Sequence, residues 1–204
     1  MIKKVIIFDF DGVIVDSLDL SFAINRELMP DLEQSEWQRW NEGNVYKEIR
    51  KEHANDKSAD FFFDKYNEQV IGIMPTQGMS EVIKKLAKKY TLVIISSGTQ
   101  KAIKAYLKKY GLIQHFNDIL GRETHHSKVD KFHIILEKYK IQPQETLIIT
   151  DTVGDIREAN EVGVKSIGVV WGIHNASKLK EAKPHFIAMK PSEIISGIES
   201  VIGN

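Results

Sequence analysis

Short runs of apolar residues, rich in valine and isoleucine, recur along the chain between polar and glycine-containing segments. Runs of this kind, without alternating polar positions, are typical of strands buried on both faces of a parallel sheet. Between them, apolar residues recur every three or four positions, which predicts amphipathic helices. The pattern therefore predicts an α/β fold, a doubly wound parallel sheet with a Rossmann-like core and helices on both faces. The predicted strands are 5–10, 91–95, 117–120, 146–150 and 166–170, and the main predicted helices after residue 75 are 82–90, 102–110, 132–139, 156–162 and 192–202.

A different pattern covers residues 16–74, where no strand-like apolar run occurs. Apolar residues in this segment recur at helical spacing instead. We therefore expect a small all-helical cap, 16–74, inserted after the first strand, while residues 1–15 and 75–204 form the catalytic core. Trp37 and Trp40, three positions apart, are expected to pack between the cap helices.

The charge balance gives no sign of a polyanionic partner. Lys and Arg total 28, Asp and Glu also total 28, and the net charge is zero. Nothing in this balance favours nucleic acid or an anionic membrane surface, and no apolar run approaches the length of a membrane span. Cysteine is absent, which excludes disulfides and cysteine metal ligands. Because no apolar signal segment precedes the first strand, we expect a cytoplasmic protein, either a monomer or a small homo-oligomer.

Two aspartates lie where the first predicted strand ends. Asp9 and Asp11 are two positions apart, and residues at that spacing point to the same side of a strand. Two carboxylates this close repel each other, and a bound Mg²⁺ is the simplest means of offsetting them. Gly12 lets the backbone turn sharply after the second carboxylate. The alternative is a strand followed by ordinary polar turn residues.

Polar residues also follow two of the other predicted strands. Ser96 follows the second strand, Asp151 and Asp155 follow the fourth, and Lys128 lies in a loop that leads into a helix. In parallel sheets of this kind, ligands bind at the carboxyl ends of the strands. Together with the two aspartates of the first strand, these side chains are those needed for phosphoryl transfer through a covalent aspartyl phosphate. Taken singly, each acid or hydroxyl also fits a helix cap.

Four segments in this order resemble the motifs of the haloacid dehalogenase superfamily, in its phosphatase branch with a helical cap, similar to phosphoglycolate phosphatases and β-phosphoglucomutases. The segments are Phe8–Gly12, Val93–Ser96, Lys128 and Ile148–Asp155. The resemblance covers nearly the whole chain, and its first and fourth motifs together are the most specific. Thr150 departs from the pattern because the family commonly has Gly there, and Val129 stands where the lysine is usually followed by Pro. Lys131, three residues on, is a rival for the role of Lys128.

The resemblance implies roles for the residues at the strand ends. Asp9 would attack phosphorus, and Asp11 would protonate the leaving oxygen and then deprotonate the water that hydrolyses the aspartyl phosphate. Ser96 would hydrogen-bond a phosphoryl oxygen. Ser97 and Gly98, at the adjacent helix N-terminus, would offer further contacts to the substrate.

The resemblance also implies Mg²⁺ as the cofactor, held by the Asp9 carboxylate, the Asp11 backbone carbonyl and Asp151, with Asp155 bound directly or through water. Lys128 would offset the charge of the nucleophile and the phosphoryl group. Dehalogenases of the family act without a metal and lack the second aspartate. The presence of Asp11 therefore argues against dehalogenase activity.

The favoured function is a Mg²⁺-dependent phosphatase acting on a small phosphorylated metabolite. A phosphomutase of the β-phosphoglucomutase type is an alternative that the sequence does not separate from it. A receiver-like signalling module, phosphorylated on aspartate without turnover, is a third, which the helical insert disfavours. In the cap, Lys47 and Arg50 are candidate contacts for an acidic or second phosphate group of the substrate. The adjacent His125 and His126 are expected to point into solvent rather than bind a metal.

Overall fold

The computed structural model describes residues 4–44 and 56–203 and places a parallel β-sheet at the centre of the molecule. Within the described residues the sheet has six strands in the order β3-β2-β1-β4-β5-β6, and every neighbouring pair is parallel. This is the strand order of a doubly wound sheet, so the predicted fold class is confirmed. The strands are β1 (Val5–Phe8), β2 (Thr91–Ile95), β3 (Asp118–Leu120), β4 (Thr146–Thr150), β5 (Lys165–Val169) and β6 (Phe186–Ala188).

Apolar clusters with helices packed on them cover both faces of the sheet. In β1, Val5 and Ile7 belong to one cluster, while Ile6 and Phe8 belong to the other. All four side chains are fully buried, which is why this strand is a continuous apolar run in the sequence. No helix in the described ranges is long and apolar enough to cross a bilayer. The α-helices are Leu18–Leu28, Gln34–Arg39, Asp56–Gln69, Met79–Leu86, Gln100–Lys109, Lys128–Tyr139, Val153–Val162, Ala176–Glu181 and Glu193–Ile202, and 3-10 turns lie at Trp40–Glu42, Val70–Gly72, Ile113–His115 and Pro143–Glu145.

Four core helices begin two to four residues earlier than the apolar pattern predicts, among them those at Lys128 and Val153. The helix at Lys128 starts there because the hydroxyl of Ser127 caps it by accepting a hydrogen bond from the amide of Asp130. The helix at Val153 starts early for the same reason, with Thr152 as its cap. Lys128 therefore lies in the first helical turn, and its prediction as a loop residue is wrong.

The edge strand β6 and the short helix before it, Ala176–Glu181, are missing from the sequence prediction. β6 has only three residues and pairs on one side alone, with β5. A short edge strand needs no long apolar run, so its sequence carries little strand signal.

Between β1 and β2, the described chain forms helices and turns. Its two ends lie side by side, because the amide of Thr76 donates to the carbonyl of Ile14 at 2.9 Å and Val15 forms an isolated bridge with Pro75. The chain thus leaves the core and returns at one place, as expected of an insert. The division of the chain into a cap at 16–74 and a core stays a prediction.

Part of the predicted cap lies outside the described residues. It includes the two candidate substrate contacts, Lys47 and Arg50. Those expectations stay predictions.

Candidate active site

The predicted site residues meet between β1 and β4, where the strand order of the sheet reverses. β1 and β4 are neighbours in space although far apart in sequence, and the chain winds outward from them in opposite directions. Asp9 directly follows β1, and its amide donates to the carbonyl of Ile149 at 2.9 Å. Asp151 directly follows β4. In doubly wound folds this reversal opens a crevice at the strand ends, which is where ligands bind.

A buried ammonium group lies between two of the predicted carboxylates. Lys128 Nζ is 2.6 Å from Asp9 Oδ2 and 2.6 Å from Asp155 Oδ2. Burial by itself lowers the pKa of Lys128, but the carboxylates of Asp155 and Asp9 raise it above its usual value. Burial raises the pKa of Asp9, whereas for Asp155 the Lys128 charge and hydrogen bonds outweigh burial and lower the pKa. The ammonium therefore compensates part of the negative charge at this edge.

Asp151 is a buried carboxylate with an unused oxygen. Its Oδ2 accepts a hydrogen bond from the amide of Ile173 at 2.8 Å, while its buried Oδ1 has no hydrogen-bond partner among the described residues. Burial raises the pKa of Asp151 to about 7. A Cβ on Gly12 would lie 2.1 Å from Asp151 Oδ2, and one on Gly172 would lie 2.2 Å from it. Both turns therefore need glycine so that the carboxylate fits.

The carboxylate of Asp11 is held by two hydroxyl groups that the sequence analysis does not single out. Ser17 Oγ donates to Asp11 Oδ1 at 2.6 Å, and the hydroxyl of Tyr66 donates to the same oxygen. Burial raises the pKa of Asp11, although these hydrogen bonds oppose the shift. Tyr66 belongs to an apolar helical stripe in the sequence, and nothing in that spacing indicates contact with a residue 55 positions away.

The loop after β2 brings Ser96 into the same cluster. Ser96 is fully buried, and its Oγ accepts a hydrogen bond from the amide of Gly98 at 2.9 Å. A Cβ on Gly98 would lie 3.3 Å from Ser96 Oγ and 3.6 Å from Asp11 Oδ2, so these groups border one space. Ser97 and Gly98 both line the cavity, but the Gly98 amide is used within the loop.

Lys131 contacts the backbone behind the site rather than the carboxylates. Its Nζ donates to the carbonyl of Ser96 at 2.7 Å. Burial and the neighbouring charge of Lys128 lower the pKa of Lys131 to about 8. The geometry thus places Lys128, not Lys131, against Asp9.

Neither predicted loop histidine lies in a metal-ligating cluster. His125 is exposed, and its Nδ1 lies 3.0 Å from Asp130 Oδ2. His126 lines the cavity. In the described part of the chain, no group of three or more His, Asp or Glu side chains is arranged to hold a metal ion. The ammonium of Lys128 lies between the carboxylates of Asp9 and Asp155.

A cavity of about 480 Å³ lies over the strand ends, walled on the far side by the segment between β1 and β2. That wall includes four large aromatic side chains, those of Trp37, Trp40, Phe62 and Phe63, among smaller apolar and polar residues. Both tryptophans are buried in an apolar cluster of this segment, as the sequence predicts. They also border the cavity, which the sequence does not predict. Arg122 enters from the core side, and its guanidinium lies 4.0 Å from the centre of the Phe63 ring.

The family model of the haloacid dehalogenase-like hydrolases matches residues 6–169, which include every motif residue of the cluster. The chain belongs to this family. The family predicted from the sequence motifs is therefore confirmed.

Among curated proteins, this family member is 23% identical over 212 residues to a phosphoglycolate phosphatase of Synechococcus elongatus, covering 98% of this chain and 99% of the relative. It is 24% identical over 212 residues to a phosphoglycolate phosphatase of Aquifex aeolicus, covering 98% of each chain. These relatives support the predicted class of enzyme, a phosphoric monoester hydrolase.

Solved structures of other hydrolases share the fold over almost the full length. A haloacid dehalogenase-like hydrolase from Streptococcus pneumoniae gives a TM-score of 0.80 at 21% identity, covering 95% of this chain and 97% of that one. A hydrolase from Pseudomonas syringae gives a TM-score of 0.81 at 21% identity, covering 98% and 99%. At this level of identity the likeness concerns the fold alone.

Proposed function

We propose that this haloacid dehalogenase-like hydrolase is a Mg²⁺-dependent phosphatase of small phosphorylated metabolites, with Asp9 as the nucleophile. The observation that carries the proposal is the position of Asp9 at the sheet's reversal point, with the Lys128 ammonium 2.6 Å from its carboxylate. The Asp9 carboxylate lies at the crevice, and the Lys128 ammonium beside it would offset part of the negative charge of a phosphoryl group.

The donor set fits a hard divalent cation. Asp151 Oδ1 is buried and has no hydrogen-bond partner among the described residues. A buried carboxylate oxygen is costly without a partner, and a hard divalent cation would bind it. Asp9, the backbone carbonyl of Asp11 and Asp151 would hold the ion. Asp155 Oδ2 is already engaged by Lys128 and Thr150, which favours contact through water. Mg²⁺, when bound, would offset negative charge and orient the phosphoryl group.

The remaining chemistry belongs to the side chains. In the first step an Asp9 oxygen forms a bond to phosphorus while the bond from phosphorus to the leaving oxygen breaks, and Asp11 donates a proton to that oxygen. In the second step Asp11 takes a proton from water, the water oxygen attacks phosphorus, and the bond between phosphorus and Asp9 breaks. Ser96 and Lys128 would contact the phosphoryl oxygens during both steps.

The cavity narrows the substrate class. Its volume of about 480 Å³ and the aromatic side chains in its wall suit a metabolite with a body larger than the phosphate alone. Arg122 lines the cavity and has no carboxylate partner among the described residues, so it would bind a second anionic group of the substrate. The curated relatives named above are phosphoglycolate phosphatases, and phosphoglycolate carries a carboxylate beside its phosphate. We therefore favour phosphate monoesters that bear a second anionic group.

A panel of phosphate monoesters tests this function. Phosphate release is measured with Mg²⁺ and with excess EDTA, on pairs of esters of similar size that carry or lack a second anionic group. We expect Mg²⁺-dependent hydrolysis, no activity in EDTA or in Asp9→Asn, and higher kcat/KM for the anionic esters. Full activity in EDTA, or in Asp9→Asn, would overturn the proposal. Equal kcat/KM across the pairs would remove only the preferred substrate class.

A further inference from the structure

A tyrosine from the segment over the strand ends reaches Asp11. Tyr66 lies in the helix Asp56–Gln69 and is only 3% exposed. Its ring stacks on that of Phe62, with centroids 5.7 Å apart and planes 15° from parallel, so its direction is fixed by packing. At the end of this ring the hydroxyl group donates to Asp11 Oδ1.

The same helix is also tied to the loop after β2. The residue after Tyr66, Asn67, accepts a hydrogen bond through its Oδ1 from the Thr99 hydroxyl at 2.9 Å. Thr99 in turn caps the helix Gln100–Lys109 by accepting from the amide of Ala102. Neighbouring residues of one helix therefore contact both Asp11 and the Ser96–Thr99 loop, which fixes the helix relative to both.

The two oxygens of Asp11 are in different surroundings. Oδ1 accepts from both Ser17 and Tyr66. Oδ2 lies towards the Ser96 side of the crevice, because a Cβ built on Gly98 would be 3.6 Å from it and 3.3 Å from Ser96 Oγ. A carboxyl oxygen has two lone pairs, and two donors use both of them. A proton on this carboxyl group therefore belongs on Oδ2, the oxygen on the Ser96 side of the crevice.

We propose that Tyr66 is a positioning residue that holds Asp11 Oδ1, so that Oδ2 carries the proton passed to the leaving group. This inference rests on the proposed function, in which Asp11 is the general acid. In the first step the O–H bond at Oδ2 breaks, and the proton joins the leaving oxygen as that oxygen separates from phosphorus. In the second step Oδ2 regains a proton from the attacking water. Tyr66 keeps its own proton throughout.

The test compares leaving groups in the full-length Tyr66→Phe variant, which retains the ring and loses only the hydroxyl. Benzyl phosphate and 4-nitrophenyl phosphate have similar bodies, but the benzyl alkoxide needs a proton to depart while the nitrophenolate does not. The measured quantity is kcat/KM, which reports the steps up to departure of the leaving group. General acid catalysis is typically worth on the order of 10²–10⁴-fold, so we expect a loss of about tenfold or more on benzyl phosphate. The loss on 4-nitrophenyl phosphate should be much smaller.

Tyr106→Phe is the matched control. Tyr106 is also fully buried and packs edge-on against Phe10 at 5.1 Å, but its hydroxyl has no hydrogen-bond partner in the described residues. We expect this variant to behave like the wild type on both esters.

Two results for Tyr66→Phe would overturn the inference while leaving the proposed function intact. Equal losses on both esters would show a merely structural role. No loss on either ester would show that the hydroxyl is dispensable. A wild type that hydrolyses neither ester nor any of the metabolite panel would overturn the proposed function and the inference with it.

Discussion

Lys128 and Lys131 lie in one helical turn, but their surroundings shift their pKa values in opposite directions. Lys128 faces two carboxylates, whose attraction raises its pKa above the usual value. Lys131 faces a single backbone carbonyl, that of Ser96, and burial together with the charge of Lys128 lowers its pKa to about 8. One helix thus supplies an ammonium group to the candidate site and a second lysine that supports the loop behind it.

We expect Lys128→Met to lower kcat/KM on the order of a hundredfold or more, since it removes a charge beside the transferring phosphoryl group. Lys131→Met keeps a similar side-chain length and should cost far less activity. Lys128→Met loses two buried hydrogen bonds and Lys131→Met loses one. Steady-state kinetics on the best panel substrate, with circular dichroism to check folding, decides between them. Comparable losses in two folded variants would contradict the role given to Lys128.

At the residue scale, the sequence predicts the groups that lie at strand ends and misses those that arrive from other elements. Asp9, Asp11 and Asp151 follow apolar runs, and a parallel sheet must bring such positions together. Ser17 and Tyr66 reach Asp11 through the packing of the intervening segment, which no local pattern encodes. Their role in function remains a proposal, like that of the strand-end acids.

At the element scale, the first turn of the helix Val153–Val162 supports the segment over the site. A Cβ on Gly154 would lie 2.3 Å from the carbonyl oxygen of Gly43 and 3.0 Å from that of Asn41. The backbone of the predicted cap therefore rests directly on this turn, next to Asp155. Only a residue without a side chain allows that approach.

We predict that Gly154→Ala displaces the Asn41–Gly43 segment, raises KM and destabilises the fold by about 1–3 kcal/mol. The measurements are kinetics on the best panel substrate and urea unfolding. Gly72→Ala is the control, because a Cβ there meets nothing within 4 Å and should leave KM unchanged. An unchanged KM and stability in Gly154→Ala would contradict the close packing.

Strands with long apolar runs could be predicted from the sequence, and the shortest edge strand could not. The buried strands β1, β2 and β4 follow from continuous runs, whereas the three-residue β6 at the sheet edge does not. Helix starts at Lys128 and Val153 were missed because capping by a preceding hydroxyl, rather than the apolar stripe, sets them.

At the scale of the whole molecule, the protein has a net charge of zero but concentrates buried acids at one edge of its sheet. Asp9, Asp151 and Asp155 lie there with Lys128 as the nearby ammonium group. The proposed cation would stabilise the folded state, because it would bind the native form and not the unfolded chain.

We therefore expect Mg²⁺ to raise the melting temperature. At a free concentration about one hundred times Kd the stabilisation is about 2.7 kcal/mol. Calorimetry with Mg²⁺ and with EDTA measures the shift without any substrate. Asp151→Asn should lose most of the shift, since it removes one of the charges that hold the ion. A melting temperature that does not change with Mg²⁺ would argue against the proposed cofactor.

The most direct measurement of the central claim is the site of covalent phosphorylation. The wild-type enzyme is mixed with its best substrate and Mg²⁺, quenched in acid within one turnover, and reduced with borohydride, which converts an aspartyl phosphate to homoserine. Peptide mapping by mass spectrometry then locates the homoserine. We expect homoserine at position 9 alone, and none in Asp9→Asn. Homoserine at Asp11, Asp151 or Asp155, or no homoserine in an enzyme that turns over, would contradict the central claim.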